Sequence, residues 1–130
     1  MQKRKALVLF ALAASSIGVL VSGAHYSEWI LPGGLPLGNA MAAIGLCSLA
    51  GSAYNLSPVS SLRRRISQAV LVVTVLWLPV SIFLAGNLEL NFSGSRGTAW
   101  LIISSATGIA VLSSLALAII GALLEQSSAT

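Results

Sequence analysis

Residues 98–124 read TAWLIISSATGIAVLSSLALAIIGALL, and no Lys, Arg, Asp, Glu or His interrupts them. A bilayer core of about 30 Å selects runs of this length, because each charge inside it would have to be desolvated. The same emptiness recurs upstream. Lys, Arg, Asp and Glu are absent from residues 36–62 and 66–88, and no ionisable side chain stands between Lys5 and His25. The gaps predict four spans, at about 6–24, 37–54, 66–85 and 98–124. The expected fold is an all-α, antiparallel four-transmembrane-helix bundle, a single integral membrane domain over residues 1–130.

Composition agrees. The chain has 130 residues, 56% of them hydrophobic and 8% charged, with a mean hydropathy of +0.93. Water-soluble domains carry about 25% charged residues. So few charges cannot cover a surface, which leaves the lipid bilayer as the expected partner.

The spans differ in character. The first, ALVLFALAASSIGVLVSGA, follows a basic start and precedes the headgroup-type cluster His25-Tyr26-Ser27-Glu28-Trp29. A basic start, an apolar centre and Ser22-Gly23-Ala24 also fit a cleavable signal peptide. The run exceeds the usual signal core of about 7–15 residues, so a retained helix is expected. Residues 30–36 form a turn, since Pro32 and Pro36 bracket two glycines.

The second span is rich in Gly, Ala, Ser and Cys. Ala43, Cys47 and Gly51 recur every four residues, a small-residue stripe that lets helices approach closely and places this span near the centre. The third is bulky and β-branched. Pro79 is expected to kink it near Val75, with Thr74 and Ser81 serving the freed carbonyl. The fourth, longer than a span requires, carries a second stripe, Ala110, Ser114, Ala118 and Ala122. Ser60 or Ser61 is expected to cap the third helix, and Ser95 or Thr98 the fourth. The tail 125–130 reads as frayed.

The net charge of +4 raises nucleic acid as a partner. The cations instead cluster beside spans, as Lys3, Arg4 and Lys5 and as Arg63, Arg64 and Arg65, with Arg96 apart. That distribution is a topology signal, and it predicts both termini on the cytoplasmic side and connections 25–36 and 86–97 outside. Trp29 and Trp100 would then share the outer interface. The arginine-rich short inner loop suggests a bacterial inner (cytoplasmic) membrane.

Little in the chain points to chemistry. No span holds the titratable group that proton-coupled transport needs. One His, one Cys and two Met do not make a convergent metal or haem site, so no cofactor and no metal is expected. His25 reads as an interfacial side chain. No Gly-x-Ser-x-Gly elbow or phosphate loop is present, and the serines read as helix-packing groups. Residues 94–98 bring Arg96 to a helix start, which is at most a weak anion contact, and a solvated loop is the simpler reading. Asn91-Phe92-Ser93 matches the N-glycosylation pattern. Asn39, the most polar side chain in a span, is the one candidate polar site. It is expected to bond a neighbouring helix about one turn inside the outer surface.

These features predict a non-enzymatic accessory or assembly subunit of a larger membrane complex, partnered by other membrane-protein subunits or by itself. A stripe left unused by the four helices would be its docking face. A small oligomeric channel or facilitator is the alternative, with Asn39 and the hydroxyl-bearing helices along its path.

Overall fold

The computed structural model describes residues 2–23, 25–85 and 94–128. They form α1 (Gln2–Val21), a 3-10 turn (His25–Glu28), strands β1 (Ile30–Leu31) and β2 (Leu35–Pro36), α2 (Leu37–Leu56), α3 (Leu62–Ala85) and α4 (Gly94–Ser127). All four α-helices are long and apolar enough to cross a membrane. The glycosylation sequence 91–93 and residues 86–90 of the last connection lie outside the described residues.

Local chemistry sets the element ends. Ser57 closes α2 in an extended conformation, and its backbone N–H and hydroxyl both donate to the Ala53 carbonyl. Pro58 follows and cannot continue the helix. Ser61 opens α3 as its N-cap, accepting from the Arg64 N–H at 3.1 Å. α3 therefore starts at Leu62, before the apolar run, and takes the three arginines into its first turn.

Residues 30–36 are more ordered than a plain turn. β1 and β2 pair antiparallel, Ile30 with Pro36 and Leu31 with Leu35. Pro32 presets the corner, Gly33 takes φ +93°, and the Gly34 N–H donates to the Leu31 carbonyl at 3.0 Å. That is type II turn chemistry, in which only glycine accepts the positive φ without strain. This hairpin is the one departure from an all-α chain among the described residues.

Other expectations need correction. α1 ends at Val21, not at residue 24, where Ser22 and Gly23 turn the chain and Gly23 takes φ +65°. α4 begins at Gly94, so Ser95 and Thr98 both lie inside it and neither is its cap; Thr98 bonds back to the Gly94 carbonyl. α4 also continues through residues 125–127, where a frayed tail was expected. α3 runs as one helix from Leu62 to Ala85 with Pro79 inside it. Thr74 donates to the Leu71 carbonyl, and Ser81 accepts from α2 and α4.

Cross-helix bonds establish the antiparallel order. Ser16 donates to the Met41 carbonyl at 2.7 Å and Ser52 to the Ala6 carbonyl at 3.1 Å, joining opposite ends of α1 and α2. Asn39 meets Ser81, and Cys47 meets Thr74. Trp77 meets Ser104, and Arg63 meets Glu125. α2 touches α1, α3 and α4 and is the most deeply buried of the four. Its glycines and alanines explain this, since a helix without bulk can be surrounded at close range. Ala50, Ala53 and Ala118 are fully buried, and Leu115 packs with Ala53 and Ala118. The outer shell is Leu, Val, Ile and Phe, among them Leu7, Val8, Val75, Phe83, Ile102 and Ile109, all more than half exposed.

Candidate functional site

The interior of α2, α3 and α4 contains a polar seam. At its centre is Ser81, 1% exposed. Its hydroxyl oxygen accepts from Asn39 Nδ2 at 3.1 Å and from Trp100 Nε1 at 2.8 Å, so one atom joins three helices. A turn further along α3, Trp77 Nε1 donates to Ser104 Oγ at 2.9 Å. The Trp77 and Trp100 rings lie 6.5 Å apart at 57°, stacking the two bonds into one layer. Deeper still, Cys47 Sγ lies 3.4 Å from Thr74 Oγ1. Asn39 and Thr74 are fully buried.

These groups are mutually satisfied. A buried donor facing a buried acceptor avoids the cost of a lone polar group and fixes helix register. Asn39 stands in the first turn of α2, as the sequence places it, with Ser81 as its partner. Trp100 turns its indole N–H inward to Ser81 and is half-buried, whereas Trp29 is exposed. In the sequence, Ser81 stands out only as a neighbour of Pro79. The signal that would have found it is spacing: Thr74, Trp77 and Ser81 recur at three and four residues along one face of α3.

The opposite end of the bundle is basic. Lys3, Arg4, Lys5, Arg63, Arg64 and Arg65 all lie there, because α1 and α3 both start at that end. Their contacts differ. Arg63 forms an ion pair with Glu125 of α4 and packs where Gly121 leaves room. Arg64 lies 4.0 Å from the Tyr54 ring centroid, a cation–π contact. Lys3, Arg4, Lys5 and Arg65 are exposed, with no carboxylate in ion-pair range among the described residues. Two buried polar atoms, Arg63 Nη1 and Ser67 Oγ, have no hydrogen-bond partner among the described residues.

At the other end, Arg96 donates to the Phe83 carbonyl at 2.6 Å and sits over the Phe83 ring. It is engaged with the end of α3, and residues 94–98, expected as a solvated loop, form the first turn of α4 instead. His25 Nδ1 and Glu28 Oε1 are 3.8 Å apart on the exposed 3-10 turn. No group of three or more His, Cys, Asp or Glu side chains that could hold a metal ion occurs among the described residues.

Both small-residue stripes lie mainly within the bundle. Ala43 and Gly51 are buried, Cys47 is half-buried against α3, and a side chain at Gly51 would meet Leu9 of α1 at 3.2 Å. Ser114 and Ala118 are buried, with Ala110 and Ala122 half-buried at either side. The expected docking stripe is therefore used internally. The outward face of α4 instead carries Ile102, Ala106, Ile109, Ser113, Ala116 and Ile120, all exposed and spaced alternately four and three residues apart. Compared with protein-family models, curated proteins and solved structures, the chain matches none.

Proposed function

We propose that this chain is an integral membrane protein with four spans and both termini on the cytoplasmic side, and that it serves as an accessory or assembly subunit of a larger membrane complex. Six cations gathered at one end support the orientation, by the rule that Lys and Arg stay on the cytoplasmic side. The outward face of α4 carries the functional reading. Its alternating four-three spacing is that of a helix seam, and Ala106, Ser113 and Ala116 at its centre would let another helix approach closely. The polar seam supports a structural role as well. Asn39, Ser81 and Trp100 face one another, which makes them better suited to holding helices together than to lining a path.

Extraction in mild detergent tests this. Stoichiometric membrane-protein partners are expected to copurify, and Ala116→Leu is expected to release them while the chain stays folded. A monodisperse single chain under the same conditions would overturn the reading. The alternative, an oligomeric channel or facilitator, would instead give flux in proteoliposomes that Asn39→Leu abolishes.

A further inference from the structure

The basic end of the bundle contains an apolar groove between α1 and α2, about 430 Å³ in volume and lined by Arg4, Lys5, Val8, Leu9 and Asn55. Helical spacing stacks its contents. Arg4 stands one turn beyond Val8, and Lys5 one turn beyond Leu9, so a pair of cations surmounts a pair of aliphatic side chains. Neither cation has a carboxylate in ion-pair range among the described residues. The first turn of α1 holds no acidic residue, so both charges lie at the positive end of a helix dipole. That placement is unfavourable for the helix alone and becomes favourable when an anion sits beside it.

We propose that this groove binds an anionic phospholipid, with the phosphate between Arg4 and Lys5 and an acyl chain along Val8 and Leu9. The apolar wall directly under the cations selects a lipid over a free phosphate. The paired positive charge selects an anionic headgroup over a zwitterionic one, whose own ammonium group offsets its phosphate. This site rests on the membrane reading above, which puts the basic end at headgroup depth.

The full chain, reconstituted in phosphatidylcholine bilayers with spin-labelled phosphatidylglycerol or spin-labelled phosphatidylcholine, tests the site. Attraction of about fivefold per cation sets the scale. A motionally restricted phosphatidylglycerol population several-fold above that of phosphatidylcholine is expected. The Arg4→Gln/Lys5→Gln variant should lower the ratio several-fold, to the level set by the remaining cations of that end. The matched Lys3→Gln/Arg65→Gln variant, which removes equal charge from the same end, should leave most of the preference. Equal restriction of both lipids, equal loss in both variants, or displacement by inorganic phosphate would overturn the site. Carbonate extraction separates the two failures. A chain washed from the bilayer overturns the membrane reading together with the site, whereas a retained chain without lipid preference overturns the site alone.

Discussion

Ala53→Leu is expected to destabilise the bundle by about 3 kcal/mol, the upper part of the range for overpacking a filled interior. Ala53 is fully buried where α2 meets α4, against Leu115 and Ala118. α2 is enclosed by three helices, so it cannot shift away from one without meeting another. The added isopropyl group must force α2 and α4 apart or twist a neighbour off its rotamer. Ala69→Leu makes the same chemical change on the exposed side of α3 and should alter stability by no more than about 0.5 kcal/mol. Reversible unfolding in mixed micelles of mild and denaturing detergent measures both. Equal effects at the two positions would show that α2 is not the enclosed helix.

Ser81→Ala should cost about 2 kcal/mol, from the loss of two interhelical bonds at the modest values such bonds have within membranes. The Asn39 amide and the Trp100 indole both lose their acceptor in this change. The two losses share one atom, so they are coupled. After Ser81→Ala, Asn39→Leu should cost less than it does in the parent chain, and a double-mutant cycle reads the difference. Trp100 fluorescence should shift as its indole N–H loses the Ser81 oxygen. Ser67 is the internal comparison. It lies on the same helix and is equally buried, and its hydroxyl lacks a partner among the described residues. Ser67→Ala is expected to be neutral or slightly stabilising. A matching loss at both serines would mean that Ser81 contributes by packing, not by joining three helices.

The four helices were legible because charge gaps of span length have one economical explanation, and the end-to-end order followed from three short connections. The ends were legible only in part. Ser61 caps α3 ahead of its arginines as its position suggests, but α1 stops at Val21 and Gly94 opens α4 ahead of its apolar run, because backbone geometry decides those ends and hydropathy does not. The polar site was half legible. Asn39 stands out in an apolar span, but its partner is one of many serines, and no property of Ser81 alone marks it as the common acceptor. The stripes show a subtler limit. Residues four apart turn by about 40° around a helix with 3.6 residues per turn, so a stripe drifts. Along α2 that drift carries Cys47 to α3 and Gly51 to α1. Small residues foretold close packing, but which neighbour each would meet depended on three other helices. The outward face of α4 escaped notice because Ile102, Ile109 and Ile120 make it read as ordinary lipid-facing surface.

Cysteine accessibility in intact cells tests the central claim most directly. In a Cys47→Ala background, single cysteines at His25, Val59 and Gln126 sample the hairpin end, the arginine-bearing connection and the end of α4, all at exposed positions. A membrane-impermeant maleimide is expected to label the cysteine at position 25 from outside, and to reach those at 59 and 126 only after the membrane is opened. Labelling at 59 or 126 from outside, or release of the chain into buffer as a water-soluble globule, would contradict a four-span bundle with its basic end in the cytoplasm.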